Sequence, residues 1–479
     1  MDMTIFKEKS QSNFNAAFFA LSLERLGEKP LHLQLTDLLR QMILGGGDLS
    51  GTRLPSSRML AEELSISRMT VTTAYDQLLG EGYLNTRQGG GTYVATQLPH
   101  LSPVTPRKVP KTRPPKAWLP FQPGLPDPKL FPHRLWARHH ERAWQSPEPG
   151  LLASPDPMGW YPLRAAIGEH LSAWRGLECL PDQIIITSGA WDAFDILARA
   201  VLTVGDAVAV EDPGWPTLRG AFEQAGLIAI PAPIDSKGLP AHLIPRKARA
   251  AIVTPSRHFP TGHSMPLARR LAMLDWARQT KGLVIEDDYD SEFRYQGHPL
   301  PSLAGLDGLQ NTIYLGSFSK LLSPVLRIGY LVLPLALVER ARNYLEKVGS
   351  RASLVPQPAL AAFMNSGEFA THLRRCRRSY AKRQDVLVKA LTDASHLLAV
   401  KPDSSGMHLC CPLTPEMQSR ASDVDLSRRG AENGLTLRPL SNYSSLPNPQ
   451  QGLLLGYAAF DESTLSEAAR VLLTVLSDT

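Results

Sequence analysis

The chain is 479 residues long, too long for one hydrophobic core and long enough for two or three domains. Its 43% hydrophobic and 20% charged content is that of a globular protein folded in water, and no apolar run of about 18 residues offers a membrane span. The net charge of +6 is uneven, because residues 1–120 hold fourteen Lys or Arg against ten Asp or Glu and so carry most of the basic excess. The opening stretch MDMTIFKEKS lacks the basic, apolar, small-residue order of a secretory signal, which makes the cytoplasm the expected location. Cys179, Cys376, Cys410 and Cys411 have no CxxC spacing, so neither a disulfide framework nor a metal site is expected.

Taken in chain order, Pro30 to Leu44 places leucines at helical spacing and runs into three glycines, a stop signal. In GTRLPSSRMLAEELSISRMTVTTAYDQLLGEGYL, Ser56 or Ser57 caps a short helix through Leu64, and Ser67 caps a second to about Leu79. GYLNTRQGGGTYVAT then reads as strand, glycine turn (Gly89, Gly90, Gly91) and strand, a hairpin wing. In such a unit the second helix enters the major groove by its N-terminal end, so Ser67, Arg68 and Thr70 are the expected base contacts. Arg53, Arg58 and Arg87 suit phosphates. A protein-interaction module would account for the helices and hairpin but not for the polar, basic start of the second helix.

Residues 96–120 contain seven prolines, five Lys or Arg and no acid, a composition that favours extended chain and marks a linker. Domain limits of 24–95, 96–120 and 121–479 follow. In the last, short β-branched runs alternate with amphipathic stretches: Ile184 to Thr187, Ala207 to Asp212, Ala250 to Pro255, Leu283 to Asp288 and Thr312 to Ser317. This is an α/β pattern, in which ligands bind at the carboxyl ends of the strands. Those ends offer an anion-binding helix start (SGAW), an aromatic on a tight turn (Trp215), an acid with a phenol (Asp287, Tyr289) and an amine (Lys320).

The first domain resembles the winged helix-turn-helix of GntR-type bacterial regulators through LPSSR, LA, SR-TV, L-GEGYL and G-GTYV in one order, over about residues 30 to 95. The resemblance implies sequence-specific binding to double-stranded DNA. The body resembles fold-type I aminotransferases, which implies a mostly parallel sheet flanked by helices, a smaller C-terminal α+β subdomain and pyridoxal 5′-phosphate as cofactor. Carried over residue by residue, Lys320 is the Schiff-base lysine, Asp287 the partner of the ring nitrogen and Tyr289 that of the ring hydroxyl. Trp215 is the stacking aromatic, and Ser188, Gly189, Ala190, Ser317 and Arg327 form the phosphate cup.

The two parts together, with DPKLFPHRLWAR, DPMGWYPLRAAI, TPSRHFPTGHSMP and SGMHL, resemble the MocR/GabR-type regulators. This implies a cytoplasmic, head-to-tail homodimer that senses an amine or amino-acid effector through aldimine exchange at Lys320. The alternative is a true aminotransferase with an accessory DNA-binding domain. Two departures bear on the choice. GLLLGYA has leucines where amino-acid transaminases place a carboxylate-binding arginine, leaving Arg438 as a source of that charge or an effector without an α-carboxylate. Phe259 stands where those enzymes have the asparagine of NPTG, with His258 beside it as a further effector contact. The basic run His372 to Arg383 reads as a solvated or dimer-packing helix face, or as a secondary DNA contact.

Overall fold

The computed structural model describes residues 23–25, 29–45, 49–87, 91–97, 118–153, 156–298 and 300–478. The chain divides into two compact units between residues 116 and 117. In the first, helix α1 (Leu31–Gly45) turns Leu35, Leu39 and Ile43 inward at four-residue spacing. Ser56 caps α2 (Ser57–Glu63) by accepting from the Met59 N–H, and Ser67 caps α3 (Arg68–Gly80) by accepting from the Thr70 N–H. Leu60, Val71, Ala74 and Leu78 join the same core, and the Tyr75 hydroxyl donates to the Pro55 carbonyl at 3.0 Å. Strands β1 (Leu84–Arg87) and β2 (Gly91–Val94) form the expected antiparallel hairpin, with Arg53 bridging to Tyr93 along its edge. Gly89, Gly90 and most of the proline-rich linker lie outside the described residues.

The second unit is built on seven strands: β3 (Ile184–Thr187), β4 (Ala207–Asp212), β5 (Ile228–Pro233), β6 (Ala248–Val253), β7 (Leu283–Asp288), β8 (Thr312–Ser317) and β9 (Gly329–Val332). Their order is β3-β9-β8-β7-β6-β4-β5, and only β9 runs antiparallel to its neighbours. Six carboxyl ends therefore share one edge. Ile184 and Ile186 pack in one core cluster and Ile185 in another, which is why these strands read as unbroken apolar runs. At the end of β3, Gly189 adopts φ +81° and opens helix α4 (Ala190–Ile196), which continues as a wider π turn through Val201.

Two strands of this sheet were not anticipated. β5 contains Pro231 and Pro233 and survives because it is the sheet's edge, where missing N–H groups cost no ladder bond; β9 is only four residues long. β6 also ends two residues before the expected Pro255, because the Thr254 N–H leaves the ladder to donate to Glu211 at 3.0 Å.

Helix α5 (Glu368–Ala390) leads into a smaller antiparallel sheet ordered β10 (His408–Pro412), β12 (Gly452–Gly456) and β11 (Arg438–Pro439). Helix α6 (Glu462–Ser477) packs Leu465 and Leu472 into the same core cluster as Leu453 and Leu455 of β12. On α5, Arg374, Arg375 and Arg378 are exposed, whereas Arg383 turns inward to Asp127 at 2.7 Å and Arg377 lies over Trp174. No helix among the described residues is long and apolar enough to cross a membrane.

The segment following the linker lies along β12: the Gly456 N–H donates to the Phe121 carbonyl and the Thr436 N–H to the Pro120 carbonyl, both at 2.9 Å. A Cβ on Gly456 would sit 2.2 Å from the Gln122 carbonyl oxygen, so no larger residue fits without moving backbone. Gly456→Ala is expected to destabilise the second unit by about 1–3 kcal/mol, the usual cost of overpacking. Thermal unfolding measures it, and an unchanged midpoint would contradict the close approach.

Candidate functional site

In the first unit, Arg53, Arg58, Ser67, Arg68 and Arg87 are exposed and Thr70 is half-buried. Arg58 pairs with Glu62 at 3.2 Å, a contact worth little in solvent, and Arg87 lies over the Tyr93 ring. The Arg68 Nε donates to Ser57 Oγ at 3.3 Å, tying the start of α3 to α2. Ser67 and Thr70 are partly committed to the cap, with their hydroxyls 2.8 Å apart. Met69, between Arg68 and Thr70, is 72% exposed and was missed by the sequence reading. Its signal was an apolar residue inside a polar helix start, the type that meets a thymine methyl.

In the second unit, the shared strand edge opens into a cavity of about 400 Å³. Eight of the nine residues expected around the cofactor line it: Gly189, Ala190, Trp215, Asp287, Tyr289, Ser317, Lys320 and Arg327. Ser188 does not; its N–H donates to Asp192 Oδ2 at 2.8 Å. Trp215 is held by an edge contact with Trp191 and a tilted one with Phe194, at ring separations of 5.4 and 6.2 Å.

Alternation along β7 sorts its three consecutive acids. Glu286 and Asp288 are buried with Arg175, whose Nε lies 2.8 Å from Asp288 Oδ2, and Asp288 also accepts from the Tyr314 hydroxyl. Asp287 points to the cavity instead, with no hydrogen-bond partner among the described residues. Burial and the neighbouring Asp288 push its carboxyl up to about 7, with Lys320 pulling the other way. Burial lowers the Lys320 amine, against the pull of Asp290 and Asp287, and the amine donates to the Gly124 carbonyl at 2.6 Å.

The cavity fits pyridoxal 5′-phosphate by its own chemistry: an unpaired carboxylate, an amine and an anion cradle. The cradle has bare backbone at Gly189, whose φ of +81° disfavours a side chain, beside the Arg327 guanidinium, which pairs with no carboxylate among the described residues.

Sequence reasoning missed Glu211, although it stands in the same EDPGWP stretch as Trp215. Its Oε2 accepts from the Thr254 N–H and hydroxyl, and burial pushes its carboxyl up to about 8. Asn442 and Tyr443 also line the cavity, brought there by a loop pinned through Ser444 and Ser445 to Asp212. Nothing local in the sequence marks them. His258, expected as an effector contact, lies outside the cavity lining and is 1% exposed. It sits 3.5 Å from Glu211 and against the Thr261 hydroxyl, and burial, then the charges of His263 and Arg257, lower it to about 3. Arg438 lines an adjoining cavity that also contains Lys320, Tyr289 and Phe259, and reaches Gln122 at 3.4 Å.

Residues 31–94 match the gntR family of bacterial regulatory proteins, and residues 135–472 match aminotransferase class I and II. The probable rhizopine catabolism regulatory protein MocR of Rhizobium meliloti is 38% identical over 93% of this chain and 94% of its own. The HTH-type pyridoxine biosynthesis transcriptional regulator PdxR of Corynebacterium glutamicum is 35% identical over 90% of this chain and 93% of its own. Among solved structures, LysN of Thermus thermophilus, an α-aminoadipate aminotransferase complexed with N-(5′-phosphopyridoxyl)-L-leucine, has a TM-score of 0.67 at 27% identity, covering 75% of this chain and 92% of that one. An archaeal alanine:glyoxylate aminotransferase has a TM-score of 0.70 at 22% identity, covering 76% and 92%. The fold is therefore that of a transcriptional regulator in which a gntR-type DNA-binding unit is fused to an aminotransferase body. Within that class, the chain belongs to the MocR-type regulators.

The raised Glu211 carboxyl has a consequence for stability. The folded state keeps its proton up to about pH 8 while the unfolded chain loses it near 4.5, so stability present at low pH is lost as pH rises between those values. Urea unfolding of cofactor-free protein across that window is expected to show the loss. Glu211→Gln, which keeps an acceptor for Thr254, should flatten the slope; an unaltered slope would show that Glu211 is ionised when folded.

Proposed function

We propose that this MocR-type regulator binds operator DNA through α3 and the hairpin, and senses a small amine or amino acid at Lys320 with pyridoxal 5′-phosphate as its cofactor. The observation that carries the reading is the convergence of Lys320, the unpartnered Asp287 and the Arg327–Gly189 cradle on one cavity. When bound, the cofactor supplies an aldehyde that condenses with amines and a ring that accepts electrons.

This chain's residues would hold it as follows. Arg327, the N–H groups of Gly189 and Ala190 and the Ser317 hydroxyl take the phosphate. Trp215 covers a ring face, and Asp287 holds the proton at the ring nitrogen, which ends its isolation and favours its ionised form. Tyr289 accepts from Arg257 at 3.1 Å, which leaves its own hydrogen free for the ring hydroxyl. Ser188, its N–H bound to Asp192, shapes the loop. Lowering of the Lys320 amine by burial raises the fraction present as free base.

Arg438 offers its guanidinium to an acidic group of the effector. Phe259 in the wall, and Leu453, Leu454 and Leu455 fully buried in β12, support sensing over turnover. The working form is a head-to-tail homodimer in the cytoplasm, the winged helix of one chain near the body of the other.

Two tests follow. Borohydride should fix a pyridoxyl group on the protein and fail to do so in Lys320→Ala; an unchanged adduct in that variant would remove Lys320 from the site. In gel-shift titrations, Arg68→Ala should lose about 1–3 kcal/mol of discrimination between operator and altered sites, as expected for a base contact. Arg58→Ala should instead lower the salt slope of binding by about one unit across all sequences. Wild-type behaviour in both would mean that α3 does not enter the groove.

A further inference from the structure

Arg257 is 1% exposed and bonds three separate segments. Its Nη1 donates to the Tyr289 hydroxyl at 3.1 Å and lies 3.5 Å from Asp290. Its Nε and Nη2 lie 3.0 and 2.9 Å from Asp403 Oδ2, and Nη2 donates to the His408 carbonyl at 2.7 Å. Two glycines exist in conformations that make room for this pair. A Cβ on Gly406, at φ +98°, would sit 2.3 Å from Arg257 Nε, and one on Gly262, at φ +82°, would sit 2.6 Å from Asp403 Oδ2. Tyr289 lines the cavity; Asp403 to Gly406 do not.

We propose that Arg257 is a positioning residue that ties the phenol of Tyr289 to the 403–406 segment of the C-terminal subdomain, so that occupation of the cavity sets how firmly that segment is held. The proposal rests on the cofactor reading above. A fully buried guanidinium cannot trade a lost partner for water, so the bonds on its two sides are not independent. A group that engages Tyr289 holds the phenol oxygen in place, and the guanidinium with it; its other edge then keeps Asp403 and the His408 carbonyl together. Met407 and His408 line the adjoining cavity and offer a direct route, so the measurement is placed at 404–406 and the substitution at Asp403.

Hydrogen exchange of the full chain is measured with and without saturating pyridoxal 5′-phosphate. In the unsubstituted protein, exchange should slow at Gly189 and Ala190 and also, by about tenfold, at Ser404, Ser405 and Gly406, within the span of ordinary coupling between sites. In Asp403→Asn the slowing should persist at 189–190 and vanish at 404–406. Arg257→Lys keeps the buried charge but not the fork that reaches both sides, and should give the same selective loss should Asp403→Asn fail to fold. Undiminished slowing at 404–406 in either folded variant, or none there in the unsubstituted protein, would overturn the role of Arg257. No slowing at 189–190 in the unsubstituted protein would instead overturn the cofactor reading.

Discussion

A buried carboxylate must find a cation, a set of donors or a proton, and strand β7 presents three acids in succession to that requirement. Strand geometry sends Glu286 and Asp288 to one side, where Arg175 meets both, and Asp287 to the other, where no described residue hydrogen-bonds it and the Lys320 charge alone favours its ionised form. Arg175 at the end of its helix and the Tyr314 hydroxyl on the next strand serve the first side, and the third acid is left open to the cavity. An acid left open in this way stores desolvation energy that a cationic guest can release. The site is thus prepared for its guest by what the fold withholds.

The parallel sheet supplies the rest. Because six strands point the same way, residues from Gly189 to Arg327 meet at one edge although up to 138 positions separate them in the chain. The C-terminal subdomain closes the other side with groups of a different kind, a guanidinium, an amide and a phenol from Arg438, Asn442 and Tyr443. The cavities thus have walls of two origins, strand ends on one side and the C-terminal subdomain on the other. In the first unit the division is similar: capping serines and a leucine core set the helices, and Arg68 and Met69 stand exposed on the face that remains.

Much of this was legible in the sequence, for identifiable reasons. Helix starts were readable at Ser56 and Ser67 because a capping hydroxyl acts within three residues of itself. The residues expected around the cofactor could be proposed because most stand at or near the ends of strands that the sequence marks as apolar runs, and eight of them line one cavity. What stayed hidden depends on contacts distant in sequence. Nothing local singled out Glu211, whose surroundings come from Thr254 and His258, and His258 looked available until it was found buried outside the cavity lining. Ser188 carried the right residue type but spends its N–H four residues away. β5 was obscured by prolines that only an edge strand tolerates.

Lys320 and Gly124 are 196 residues apart in the chain and one hydrogen bond apart in space. Gly124 lies a few residues beyond the proline-rich linker, and its φ of +73° leaves the approach to the amine free of a side chain. The Lys320 amine is therefore also a clasp on the stretch at which the second unit begins. Phe121 and Pro120 fasten the same stretch to the C-terminal subdomain. Any group that takes the Lys320 amine out of that bond would also release the Gly124 carbonyl, so the cavity and the first stretch of the second unit share one hydrogen bond.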